Sequence, residues 1–212
     1  MLADNPEQSG EKCSIRQMGE FAEPTTAAEI EQAKSDPNAF GRLYEAHYSA
    51  ILNYVYRRTL NVSVAEDLTS NTFFKALRAL PKYRPRAPFR AWLYRIATNE
   101  IRMLGRSERR FRATVQNPTR EENLDRLRFT QPEVFDKMEQ EERLRQYAQL
   151  HQLLAQLPEK YQTVLTLRYL EGLAPSEVAA VVGKRIGTVK SLINRGLKRL
   201  RKVMEKKNAT LR

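Results

Sequence analysis

Wherever apolar residues gather in this chain they recur at intervals of three and four, and nowhere do they alternate. That spacing turns one face of a helix toward a core and leaves no segment suited to a half-buried strand, so the expected fold class is all-α. Asp36 followed by Pro37 gives a helix start, and Phe40, Leu43, Tyr44, His47, Tyr48, Ile51 and Val55 trace its buried stripe. Asn61 and Val62 form a turn. Ser63 to Glu66 then has the spacing of a capping box before a second stripe of Ala65, Leu68, Thr72, Phe73, Ala76 and Leu80. Pro81 ends that helix, and after the loop Lys82 to Pro88 a third carries Phe89, Trp92, Leu93, Ile96, Ala97, Ile101 and Leu104 inward.

Periodicity fades from Ser107 to about Asp136, where Pro118 and Pro132 interrupt a polar stretch of mixed charge, and it returns with Leu144, Tyr147, His151 and Leu154. Pro158 opens a helix bearing Tyr161, Val164, Leu165 and Arg168, which Gly172 closes. Two more follow: Pro175 to Val182, and Gly187 to about Lys206 with Val189, Ile193, Leu197, Leu200 and Met204 inward. The 212 residues have room for two small helical domains joined by a flexible linker. The expected boundaries are a disordered acidic tail over 1–35, an N-terminal domain over 36–106, the linker over 107–137 and a C-terminal domain over 138–207.

Net charge is +12, and its distribution narrows the function more than its total. Twelve basic residues face two acidic ones between Lys75 and Arg112, and eleven face one between Gly183 and Arg212, whereas the first 34 residues hold seven acidic against three basic. Two separate cationic surfaces fit one long polyanion contacted twice, since each neutralised phosphate releases counterions. The longest apolar runs fall far short of the roughly 18 residues that span a bilayer, and the N-terminus lacks a signal peptide's apolar stretch, so a cytoplasmic protein without membrane insertion is expected. A lone cysteine, Cys13, fits a reducing compartment and can form neither an internal disulfide nor a multi-thiolate metal site.

The run GLAPSEVAAVVGKRIGTVKSLINRGLKRLRK is laid out as a helix-turn-helix: a short helix, a turn at Gly183 and a longer basic helix. Ala179 lets the helices approach, and Val178 and Val182 are set to pack on Ile186 and Val189. Thr188, Ser191, Asn194, Arg195 and Lys198 share a polar face of the width that a helix presents in a major groove, with Arg185 at its entrance. Asn and Arg can bond adenine and guanine edges in bidentate fashion, while Lys198, Arg199, Arg201 and Lys202 suit phosphates. Ala174 stands where an N-cap Ser or Thr is expected, and Glu177 is spaced to reach back to an exposed amide there.

The outward faces of the first domain differ in kind. Glu66, Asp67, Ser70, Asn71, Phe74, Lys75 and Arg78 remain once the second helix's stripe is removed, and a large apolar residue rimmed by polar groups marks a protein partner. The sequence leaves open whether Phe74 faces out or turns sideways into the core. On the third helix Arg95, Asn99, Arg102 and Arg106 form a basic stripe beside Tyr94 and Thr98, with Lys82, Tyr83 and Arg84 in the preceding loop. Arginines with interleaved aromatics suit single-stranded nucleic acid, and generic contact with duplex phosphates is the rival reading.

The runs LYEAHYSAILNYVYRR, AEDLTSNTFFKAL, YRPRAPFRAWLYRIATNEIR and GTVKSLINRGLKRLRK, in this order and spacing, resemble the extracytoplasmic-function group of bacterial RNA polymerase sigma factors. The resemblance implies a first domain that docks on the clamp of the polymerase's largest subunit and opens the promoter's minus-ten element. It implies a last domain that reads the minus-thirty-five element as duplex, and control by an anti-sigma protein. Carried over, the AEDLT run puts Asp67, Asn71 and Phe74 at the polymerase surface, the 82–88 loop and the exposed side of WLYRIATNEIR on a flipped base and its strand, and Thr188, Lys190 and Ser191 in the minus-thirty-five groove with Lys184 and Arg185 in the turn. Ser70 and Asn71 stand where the family favours Gln and Glu, Leu192 replaces a common arginine, and Lys184 and Arg185 occupy turn positions usually apolar and small.

A stand-alone helix-turn-helix regulator is the alternative, and it would bind an operator unaided, often as a dimer. An enzyme is not expected. The chain has no GxxxxGK[ST], HExxH or GxSxG run, its carboxylates show no metal-pair spacing, and His47 and His151 lie at core-facing positions, so neither a cofactor nor a metal is called for.

Overall fold

The structure, a computed structural model, describes residues 25–114 and 149–210, with backbone alone over 107–114 and 207–210. Most of the expected tail and linker, with Cys13, Leu144 and Tyr147, lies outside the described residues. Among the described residues every regular element is helical. They are α1 (Ala27–Ala33), α2 (Pro37–Thr59), α3 (Val62–Ala79), α4 (Phe89–Thr114), α5 (149–155), α6 (Glu159–Leu165), α7 (Pro175–Val182) and α8 (Ile186–Thr210).

Helix α1 corrects the expectation of a tail reaching residue 35. Thr26 and Glu29 form a reciprocal cap, with the Glu29 amide donating to Thr26 Oγ1 at 3.2 Å and the Thr26 amide to Glu29 Oε2 at 2.8 Å. Ile30 and Ala33 are buried against α2. At the start of α2, Asp36 accepts from the Asn38 amide at 2.9 Å ahead of Pro37, as its sequence requires. Its end is tighter than expected: Leu60 takes a left-handed φ of 54° and hands directly to Asn61, whose side chain accepts from the Val64 amide at 3.0 Å. Asn61 therefore caps α3, in place of the predicted Ser63–Glu66 box, and the Leu60 backbone costs roughly 1–2 kcal/mol in exchange for that short connection.

All six residues of the predicted α3 stripe are buried. In α2, Tyr44 is 36% exposed, whereas Tyr54, absent from the predicted stripe, is completely enclosed. Its hydroxyl shares a 2.8 Å hydrogen bond with Thr98 of α4 in the core. Helix α4 also runs past the expected boundary at 106, to Thr114. Tyr83, Phe89 and Trp92 pack as an aromatic group where the 3-10 turn Leu80–Lys82 and its loop feed into α4.

In the second half, a π-helical turn over Thr166–Leu170 follows α6, and Gly172 at φ 64° ends it. Helix α7 has the predicted bounds, and its first amide, on Ala174, donates to Glu177 Oε2 at 2.7 Å. Gly183 then reverses the chain at φ 65°. A Cβ there would meet nothing within 4 Å, so Gly183→Ala isolates the conformational cost, expected as a loss of roughly 1 kcal/mol in chemical denaturation. The stripe of α8 is Val189, Leu192, Ile193 and Leu200, while Ile186, Leu197 and Met204, predicted to face inward, are exposed. The stripe passes through Gly196, where Leu165 of α6 comes to 3.2 Å from the position a Cβ would take.

Both histidines are buried at core positions. Burial, helped by the Arg57 charge, lowers the pKa of His151 from 6.5 to about 4. The unfolded chain takes up this proton below pH 6.5 while the folded chain refuses it until about pH 4, so the stability His151 lends is complete above that window and drains as pH falls through it. The loss reaches about 3 kcal/mol. Urea unfolding at pH 7 and pH 4 should show a smaller acid loss in His151→Gln than in wild type, and equal losses would refute this assignment.

Candidate nucleic-acid interface

The turn at Gly183 and the inward stripe of α8 fix which side chains the second half presents. Lys184, Arg185, Thr188, Lys190, Ser191, Asn194, Arg195 and Lys198 are all exposed on the turn and α8. Their polar ends form one cationic face, and the Arg195 guanidinium is steadied by a 3.3 Å bond from Nε to the Ser191 carbonyl. Leu192, where the family pattern has a common arginine, is only 7% exposed and belongs to the core. Arg199 lies 5.2 Å over the Tyr161 ring, which ties the middle of α8 to α6, while Arg201 and Lys202 are exposed.

On α3 the structure brings Glu66, Asp67, Ser70, Asn71, Phe74, Lys75 and Arg78 to the surface. Phe74 is 58% exposed, which settles its orientation, and Arg78 lies 5.7 Å over its ring. Leu77, which sequence reasoning missed, is also exposed and widens the apolar patch. Lys75 is partly committed elsewhere: its ammonium bonds both oxygens of the buried Glu100 of α4 at 2.6 and 2.7 Å. That contact pins α3 to α4 and sets the angle at which the Phe74 face is offered.

The predicted minus-ten group divides in two. Lys82, Arg84, Arg95, Asn99 and Arg106 are exposed, Arg102 is half-buried, and they are joined by the exposed Arg86, which the sequence reading covered only as part of the 82–88 loop, and by the exposed Met103, which it did not name as a site residue. Tyr83, Tyr94 and Thr98 do not join this surface. Tyr83 is buried, with its hydroxyl donating to the Ala87 carbonyl at 3.0 Å, so it braces the loop. Thr98 sits between Tyr54 and the Tyr94 carbonyl at 2.8 and 2.7 Å. Tyr94 lies under the second half of the chain and donates to Glu171 at 2.8 Å; its burial, with the Glu171 carboxylate beside it, pushes the phenol well above its usual pKa. None of the three offers a free ring or hydroxyl to a base in this arrangement.

The cover over Tyr94 comes from α7 and the π turn. Glu171, just beyond the π turn, also accepts from Arg57 of α2 at 2.6 Å. Glu177 takes a two-pronged contact from Arg90 of α4, with Nε to Oε1 and Nη2 to Oε2 both at 2.7 Å. A longer ion pair, 3.4 Å, joins Arg102 to Glu159.

An outward Phe74 patch, a basic loop and stripe, and a helix-turn-helix with its polar face free define a helical DNA-binding protein that also has a surface for a protein partner. Comparison with known proteins specifies the class. Residues 43–111 match Sigma-70 region 2 and residues 147–200 match Sigma-70, region 4. The chain is 33% identical over 165 residues to the RNA polymerase sigma factor YlaC of Bacillus subtilis, covering 77% of this chain and 91% of that one. It is 32% identical over 187 residues to the ECF RNA polymerase sigma factor SigE of Mycolicibacterium smegmatis, covering 87% and 69%. Its fold is similar to that of CnrH in complex with the cytosolic domain of CnrY, with a TM-score of 0.61 and 25% identity over 84% of this chain and 96% of that one. This protein belongs to the extracytoplasmic-function group of RNA polymerase sigma factors.

Proposed function

We propose that the Phe74 face of α3 docks on the clamp of the polymerase's largest subunit, that the 82–88 loop and the exposed side of α4 open and hold the minus-ten strand, and that α8 reads the minus-thirty-five duplex. The observation carrying this reading is the outward placement of Phe74 on the module that also bears the basic stripe, because a regulator acting alone has no use for such a patch. Extruding a base costs a few kcal/mol of stacking and pairing, which contacts to the base and its strand offset without covalent chemistry. Lys82, Arg84, Arg86, Arg95, Asn99 and Arg106 supply cations and an amide for that strand, and Met103 an apolar contact. The protein performs no catalysis itself; the polymerase does.

The proposed setting is the bacterial cytoplasm, where the polymerase works; separately, among the described residues no helix is long and apolar enough to cross a membrane. The solved complexes of CnrH with CnrY and of RpoE with the anti-sigma factor NepR from Bartonella quintana support an anti-sigma partner for this chain too. Run-off transcription with core polymerase on a library of promoters tests the function and reads the consensus together. Transcripts should start downstream of one shared pair of elements, and core polymerase giving the same transcripts with and without the protein would contradict the proposal.

A further inference from the structure

We propose that the ion pair between Lys75 and Glu100 transmits docking on α3 to strand opening on α4, with Glu100 as a positioning residue that touches neither polymerase nor DNA. Lys75 Nζ bonds both carboxylate oxygens of Glu100, at 2.6 and 2.7 Å. Lys75 directly follows Phe74, and Glu100 directly follows Asn99, with Arg102 and Met103 within the next turn of α4. The tie therefore begins beside the apolar centre of one face and ends beside the exposed side chains of the other. This role rests on the proposed function, which gives those two faces to polymerase and to the minus-ten strand.

Among the described residues no other ion pair or side-chain hydrogen bond joins α3 to α4. The two helices are otherwise connected by the 3-10 turn Leu80–Lys82 and its loop, where Tyr83, Phe89 and Trp92 pack. Apolar burial draws helices together without regard to direction. Charge-assisted hydrogen bonds to both oxygens of one carboxylate fix direction as well as distance.

Stability does not account for the pair. The Glu100 side chain is only 9% exposed, and attraction to a partner often does no more than offset the desolvation of a buried carboxylate, so an apolar residue of similar volume commonly serves a core as well. What the pair adds is one relative placement of the helices in preference to its neighbours. Such definition matters when polymerase grips one helix and the strand is worked by the other, because misplacement by about 1 Å at a working site can cost a large factor in rate.

The test uses the full chain, core polymerase and two promoter duplexes, one fully paired and one whose minus-ten bases are mismatched and so already apart. Glu100→Met fills similar space without charge, and it leaves the Lys75 ammonium free to hydrate, since that side chain is 45% exposed. The variant should melt and bind core polymerase as wild type does and match wild type on the mismatched promoter. From the paired promoter it should give about tenfold less run-off transcript. Glu100→Gln keeps an acceptor for Lys75 and should fall between the two. Full transcription from the paired promoter in Glu100→Met overturns the proposal, and so does an equal loss on both promoters, which is what a merely structural pair would give. Should Glu100→Met melt early, Glu100→Gln decides by the same comparison of promoters. Wild-type protein that supports transcription from neither promoter would instead end the proposed function, and this role with it.

Discussion

Phe74→Ala should weaken binding to core polymerase by about 30-fold or more without disturbing the fold. Phe74 is more than half exposed, so truncation leaves no cavity in the first module. Its ring instead supplies the apolar centre of a patch with Leu77 and Arg78, edged by Asp67, Ser70 and Asn71, and a buried aromatic anchor at a protein interface is commonly worth 2 kcal/mol or more. Charge reversal, Asp67→Lys, should have a similar effect by placing the wrong charge at the rim. Titration of labelled protein with core polymerase measures both, with the melting temperature and duplex-DNA affinity as controls. If both variants assemble as wild type, α3 is not the docking face.

The second large effect is expected at the minus-thirty-five element. Arg185→Ala and Asn194→Ala should each cost about 1–3 kcal/mol of discrimination at one base position, a factor of roughly 5 to 150, while binding to the other positions changes little. Both side chains are exposed on the free face of the helix-turn-helix. Lys202→Ala should instead weaken all sequences alike and reduce the salt dependence by about one counterion. Selection from a randomised duplex library, repeated at two salt concentrations, separates these behaviours. Uniform loss from Arg185→Ala and Asn194→Ala would remove them from the set of reading residues.

What could be read from the sequence follows from which signals are local. The α3 stripe, the cap at Asp36 and the turn at Gly183 each depend on residues within one or two helical turns, and they stand as the residue pattern indicates. Helix α1 is seven residues long, too short for a period to declare itself, and only the Thr26 and Glu29 spacing could have announced it. In α8 the predicted stripe drifted to Leu197 because a search for apolar side chains passes over Gly196, although Leu165 fills the notch that glycine leaves.

Tyr94 and Thr98 were misplaced for a different reason. Their side chains look suited to solvent, and the group that encloses Tyr94, Glu171, lies 77 residues further along the chain. Glu171 and Glu177 themselves have the composition of a solvated face, so no local pattern marks them as buried partners of Arg57 and Arg90. By contrast Leu77 and Met103 were within reach of the sequence, since each lies next to a position already assigned to a surface.

The most direct measurement is permanganate reactivity of minus-ten thymines in a duplex promoter incubated with core polymerase and this protein. Thymines should become reactive only when polymerase and protein are both present, and lose that reactivity with Phe74→Ala. Thymines that stay protected in the complete mixture, on promoters to which the protein binds, would contradict the claim that it joins polymerase to separate DNA strands.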